Sequence, residues 1–339
     1  MKWTKWTKWV GGCLAALVLT AGCGGPEPTA PTNAPQGELV VYTSQPEKDI
    51  QQLIEAYHEV HPEVNVKTFR SGTEEVISKV MAEKKVGAVQ ADVLLVADVS
   101  TFEGLKEEGL LAPYESPELA AIDPAYYDAG HTYVGTKAMA TGLMINTDKI
   151  TTRPQAWADL TDAAYAGQLV MPSPLYSGAA AYNLGVILQQ EAMGWGWYEG
   201  LKANGVKVEK GNGAVQKAVQ SGEKAIGIVV DYLALRARAA GAPVEFIYPA
   251  EGSLVITEPI GIVAGTPHRQ AAESFVDFIL SKRGQEVTAQ IGYTPIRKDV
   301  APPAGYRSVD ELHAMPADIG RMVEGRTADK EQFARLFHS

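Results

Sequence analysis

From Glu38 onward the chain alternates short apolar runs with amphipathic stretches, and no other feature restricts its fold as much. "LVVYT" reads as a buried strand, and "PEKDIQQLIEAYHEVH" as a helix stopped by Pro62. "VNVKTFR" with "EEVISKVMAEKK" repeats the pair, as does "ADVLLVA" with "TFEGLKEEG". Such a βαβαβα rhythm builds a mainly parallel sheet with helices on its faces. A second alternating region follows: "QLVMPS", "GAAAYNLGVILQQEAM", "AVQKAVQSG", "KAIGIVVD", "YLALRARAAG" and "VEFIYP". The apolar strands "MATGLMINTDK" and "EPIGIVAGTPH" flank it, and "RQAAESFVDFILSKRGQEVTAQ" reads as helical. The expected fold is α/β with two lobes, residues 38–140 plus 258–339 and residues 141–257, joined by two strand crossovers. The chain's 339 residues suffice for two such domains. Residues 300–339 are expected to form helices packed on the first lobe.

Strand-to-helix turns of a parallel sheet gather at the carboxyl edge of its strands, where ligands bind. Three turns in the first lobe read S-x-x-E: Ser44-Gln45-Pro46-Glu47, Ser71-Gly72-Thr73-Glu74 and Ser100-Thr101-Phe102-Glu103. That is the spacing of a capping box. In the second lobe "PLYSGAAAYNLGVIL" opens a helix almost bare of side chains, with Ser177 as its cap. Gly178 and Ala179 leave amides within reach of a ligand, and the helix dipole favours a negative one. Arg70 lies before the Ser71 turn and can add charge-assisted bonds. Asp98 and Asp231 stand at strand ends as acceptors. Tyr133 and Tyr176 can stack on the rest of a ligand or bond to it.

The N-terminus reads as a secretion signal: Lys2, Lys5 and Lys8, then the short apolar run "CLAALVLTAG". "LTAGC" resembles the end of a bacterial lipoprotein signal, with cleavage before Cys23 and lipid on its thiol. Where that pattern has Leu three residues before the cysteine, this chain has Thr20. Residues 1–22 are then lost, and residues 23–37, rich in Pro, Gly and Thr, form a flexible tether. Losing three lysines and no acids moves the net charge from −10 to −13. That balance excludes a general nucleic-acid binder, which carries a basic footprint. Cys23 is then the only cysteine left, so no intrachain disulfide or cysteine-based metal cluster is possible.

In order, "LVVYTSQ", "SGTEEVISKVMAE", "ADVLLVAD", "GLLAPY", "GLMINTDKI", "YSGAAAY", "GEKAIGIVVDY" and "EPIGIVAGTPH" resemble the extracellular solute-binding proteins of bacterial ABC importers. The group concerned holds ferric-iron, phosphonate, sugar-phosphate, thiamine and polyamine binders. The resemblance spans roughly residues 39–300 and lies in the order of the motifs. It implies a type II periplasmic-binding-protein fold that closes on a ligand between its lobes. It also implies delivery to a permease driven by an ATPase, and no chemistry on the ligand. Iron-binding members commonly use adjacent tyrosines after a strand of the second lobe. Here Tyr232 is followed by Leu233, and the first turn lacks histidine. Tyr126-Tyr127 is a pair, but it lies in the first lobe and reads as packing.

The expected site is therefore Ser44, Gln45, Arg70, Ser71, Gly72, Thr73, Asp98 and Tyr133 facing Tyr176, Ser177, Gly178, Ala179, Asp231 and Tyr232. Its ligand is a phosphorylated sugar or a phosphonate; ferric iron and a sensing lipoprotein without transport are the alternatives. No catalytic residue, resident metal or cofactor is expected. "HEVH" at residues 58–61 lacks the H-E-x-x-H spacing of a zinc helix, and no G-x-S-x-G occurs. The expected state is a monomer held on the outer face of the cell membrane through Cys23.

Overall fold

One ten-stranded mixed sheet carries the fold in the computed structural model, which describes residues 35–337. The secretion signal, the lipid site at Cys23 and most of the tether fall outside the described residues. β1 (Gly37–Thr43), α1 (Glu47–His58), β2 (Val64–Arg70), α2 (Thr73–Lys85), β3 (Val93–Leu95) and α3 (Val99–Glu107) follow the expected alternation. The two-residue β4 (Leu111–Ala112) leads to the long β5 (Val134–Asn146). Then come β6 (Leu169–Pro172), α4 (Gly178–Leu188), α5 (Gly194–Ala203), β7 (Lys207–Glu209) and α6 (Asn212–Gln220). β8 (Ile226–Val230), α7 (Asp231–Ala239), β9 (Val244–Ile247) and β10 (Leu254–Val263) complete the sheet. α8 (Arg269–Leu280), α9 (Lys282–Ile291) and α10 (Ile319–Phe337) end the described chain.

The strand order is β2-β1-β3-β10-β5-β8-β6-β7. β1, β2 and β3 run parallel, and so do β6, β7 and β8. Between these flanks the two crossover strands run antiparallel to each other and to their neighbours. Every residue of β5 is buried, as a strand covered on both faces requires. In α1, Ile50, Leu53, Ile54 and Tyr57 form one apolar stripe, each burial contributing about 1.5–3 kcal/mol.

The register explains where a cavity can form. Leu95, at the end of β3, pairs with Ile260 of β10. Val230, at the end of β8, pairs with Thr141 of β5, and Thr141 pairs with Leu254. The carboxyl ends of the two flanks thus point at each other across the middle of β5 and β10. Those middle segments form a floor with no flanking strand above it.

The stretch from Arg269 that reads as helical is two helices, broken at Ser281, which is extended and caps α9 by accepting from the Gly284 amide at 3.0 Å. A Cβ on Gly284 would collide with the Phe278 carbonyl, so glycine permits the sharp restart. α5, in the glycine-laden "GWGWYEGLKA", was not anticipated. α10 packs against α4 and α5 of the second flank as well as α3 of the first.

Candidate functional site

A cavity of about 520 Å³ lies over that floor. On the first flank its wall is made by Ser44, Arg70, Gly72, Thr73 and Ala97. On the second, Tyr176, Ser177, Gly178 and Ala179 start α4, while Lys210 to Ala214 form the turn into α6. Val230, Tyr232 and Leu233 come from the turn into α7, and Met139 and Glu258 from the floor. The starts of α2, α4, α6 and α7 therefore border one space. The first amides of a helix have no backbone acceptor within it, and its dipole favours an anion; here the Glu74, Ala180 and Tyr232 amides already donate, to the Tyr176 carbonyl, Ser177 Oγ and Asp231 Oδ1.

Three cations line the wall, Arg70, Lys210 and Lys217. Arg70 donates through Nε to the Gln45 carbonyl at 2.8 Å. Lys210 lies 3.0 Å from Glu75 and 4.1 Å above the ring of Tyr176. Among the described residues one carboxylate shares the cavity lining with them, Glu258. The β5–β10 register shifts between Thr257 and Pro259, and this bulge re-aims Glu258. Its carboxylate accepts from Ser44 Oγ at 3.2 Å and Gln45 Nε2 at 3.0 Å, and pairs with the buried Lys137 ammonium.

Of the residues singled out from sequence, Ser44, Arg70, Gly72, Thr73, Tyr176 and Tyr232 line the cavity, as do Ser177 to Ala179. The structure does not bring the others to its wall. Gln45 is buried behind it on Glu258, and the Ser71 hydroxyl donates to Glu75. Asp98 is fully buried and accepts from the Thr101 amide, the Ser100 hydroxyl and Arg326. Tyr133 packs on Phe102 and donates to Glu103 at 2.5 Å, in a separate apolar cluster. Asp231 is buried at the start of α7, with Oδ1 accepting from the Tyr232 amide and Oδ2 without a hydrogen-bond partner among the described residues. Burial pushes its carboxyl up to about 7.

The three capping boxes do not form. α1 and α2 are preceded by Pro46 and Gly72 without a side-chain cap, and Asp98 rather than Ser100 caps α3. Ser44 is therefore free to hold Glu258 and the Ala97 amide. Ser177 does cap α4, accepting from the Ala180 amide at 3.3 Å and from Asn212 Nδ2 at 3.1 Å.

The bare start of α4 also serves a contact between flanks. A Cβ on Gly178 would stand 2.6 Å from the Ala97 carbonyl and 2.7 Å from Thr73 Oγ1. Beside it, the Glu74 amide donates to the Tyr176 carbonyl at 3.3 Å. At the opposite edge Arg236 of α7 pairs with Asp49 of α1 at 2.9 Å. Asp49 also accepts from the Tyr293 hydroxyl at 2.6 Å, and the Tyr293 ring lies 4.5 Å from that of Tyr232. Burial holds the Tyr232 phenol well above its ordinary pKa.

The turn Lys210-Gly211-Asn212-Gly213 and Lys217 were missed in the sequence, although a glycine pair before an amphipathic helix marks the same kind of junction as Ser177-Gly178. Glu258 opens the strand stretch "EPIGIV", which carries no sign that its side chain reaches a ligand space. Among the described residues, no group of three or more His, Cys, Asp or Glu side chains is placed to hold a metal.

The family model for bacterial extracellular solute-binding proteins matches residues 89–312. An Fe(3+)-binding periplasmic protein of Serratia marcescens is 24% identical over 265 residues, 75% of this chain and 77% of that protein. A putative 2-aminoethylphosphonate-binding periplasmic protein of Salmonella typhimurium is 27% identical over 225 residues, 63% of this chain and 64% of that protein. The structure of the periplasmic binding protein AfuA from Actinobacillus pleuropneumoniae, with exogenous fructose-6-phosphate bound, superposes with a TM-score of 0.82. That pair shares 24% identity and covers 89% of this chain and 99% of the other.

Proposed function

Because the chain belongs to the bacterial extracellular solute-binding proteins, of the type that serves ABC importers, we propose that it captures a phosphorylated sugar or a phosphonate. The observation that carries this reading is the wall of the cavity, where three cations and four helix starts surround a single, already paired carboxylate. A phosphoryl or phosphonyl dianion suits the cations and takes hydrogen bonds from helix-start amides. Glu258, on the floor, accepts from hydroxyl or amino groups at the ligand's other end. The ligand sits between lobes of residues 38–140 with 258–339 and 141–257, and closure excludes water from it. The loaded protein, anchored by lipid on Cys23 outside the cell membrane, delivers the solute to a permease driven by an ATPase.

Ferric iron fits this wall less well. It calls for several anionic oxygens, whereas Tyr232 is held neutral and Leu233 occupies the next position on the wall. Native mass spectrometry of the purified protein, compared with its denatured mass, tests the reading. A bound organic phosphate or phosphonate is expected; bound iron overturns it. If the protein is purified empty, a thermal-shift series decides: stabilisation by fructose 6-phosphate or 2-aminoethylphosphonate supports the proposal, and stabilisation by ferric iron alone refutes it.

A further inference from the structure

α10 touches both flanks of the sheet, and it holds them by different chemistry. Toward the first flank its contacts are ionic. Arg326 pairs with Glu74 at 2.7 Å and with Asp98 at 3.2 Å, and donates to the Ser100 hydroxyl at 2.8 Å. Lys330 adds a second bond to Glu74 at 2.6 Å. Glu74 lies in the first turn of α2, and Asp98 caps α3.

Toward the second flank the contacts are apolar. Met322 lies over Gly185 so closely that a Cβ there would stand 2.9 Å from its Cγ. Phe333 is buried, with its ring 5.8 Å from that of Tyr198, and Phe337 stacks beside it at 4.5 Å. Trp157 and Trp197 close the same pocket.

The ionic side abuts the seam between flanks. The Glu74 amide donates to the Tyr176 carbonyl, and Ala97, the neighbour of Asp98, faces Gly178. If the cleft opens, α10 must release one flank. Water replaces the partners of an arginine and two carboxylates, but it cannot replace a buried aromatic stack.

We propose that α10 is a one-sided strap. It travels with α4 and α5, and the grip of Arg326 and Lys330 on α2 and α3 holds the cleft shut. Arg326 is a positioning residue: it does not line the cavity and acts through Glu74 and Asp98. Loosening it lowers the closed fraction, and the apparent affinity for any solute falls by the same factor. The inference rests on the reading of the cavity as a cleft between moving lobes, but its test needs no ligand.

The test uses spin-label distances in the full-length chain with Cys13→Ser and Cys23→Ser. One pair joins labels at Lys85→Cys and Glu331→Cys; the other joins Lys202→Cys and Glu331→Cys. In Arg326→Gln the 85–331 distances are expected to broaden and lengthen, while the 202–331 distances stay as in the parent chain. Unchanged 85–331 distances overturn the proposal, and so does a lengthened 202–331 pair, which would mean that α10 leaves the second flank. If circular dichroism shows that Arg326→Gln fails to fold, Lys330→Gln removes only the outer bond and decides by the same two pairs. Failure of the phosphate or phosphonate reading would appear in the mass measurement and leave these distances unaffected.

Discussion

The ring of Tyr176 occupies the space that a side chain at Gly72 would need: a Cβ there would stand 2.5 Å from two of its carbons. Gly72 begins α2 on one flank, and Tyr176 precedes α4 on the other. Both line the cavity, with Lys210 over the same ring. Gly72→Ala should push Tyr176 aside and weaken solute binding at least tenfold, equivalent to about 1.4 kcal/mol. Little change in melting temperature is expected. Titration calorimetry with fructose 6-phosphate or 2-aminoethylphosphonate checks this, and unaltered affinity would remove Tyr176 from the site.

Lys217 lines the cavity, is exposed, and has no ion-pair partner among the described residues. Lys217→Gln should cost a dianionic solute about tenfold in affinity, about 1.4 kcal/mol. The dependence of binding on salt should flatten with it, because an exposed charge acts through a screened field. Lys202→Gln, on the outer surface of α5, should change neither. Binding at several salt concentrations separates the two variants.

Lys137 and Glu258 are both buried beneath the cavity. Removing one partner leaves the other charged without compensation, a loss of about 3–5 kcal/mol. Lys137→Met alone should lower the urea midpoint sharply. The double change Lys137→Met with Glu258→Gln should recover most of the loss. Additive losses in the double variant would show that the pair is not coupled.

Burial raises the Asp231 carboxyl from 3.8 to about 7, against backbone hydrogen bonds that lower it. Its folded form holds a proton that the unfolded chain has released between those two values. The stability it contributes is therefore present below pH 4, falls as pH rises toward 7, and stays low above. The span is on the order of 4 kcal/mol. Asp231→Asn should leave stability near the parent's at pH 4 and exceed it at pH 8. Urea unfolding at the two pH values measures this; equal differences at both would exclude an uncharged Asp231.

Most of the sheet was legible because apolar runs of strand length alternate with 3.6-residue periodicity. The site was legible where backbone supplies it: a serine or glycine before an apolar helix predicts a helix start, as at Ser177 and Gly72. Side-chain direction was not. Asp98 follows a strand just as a ligand residue would, yet its partner Arg326 lies 228 residues away. Glu258 reaches the cavity only because a bulge turns it, and nothing in "EPIGIV" announces a bulge. The S-x-x-E spacings were misleading for a related reason. A cap needs the serine at the residue flanking the helix, and in α1 and α2 the helix begins one or two residues later.

Met139 and Glu258 lie beneath the ligand space on β5 and β10, the strands that connect the two flanks. In the proposed closure these two strands are the hinge, so a solute resting on Met139 and Glu258 would act directly on the segments about which the flanks would turn. No separate relay from pocket to hinge would then be needed.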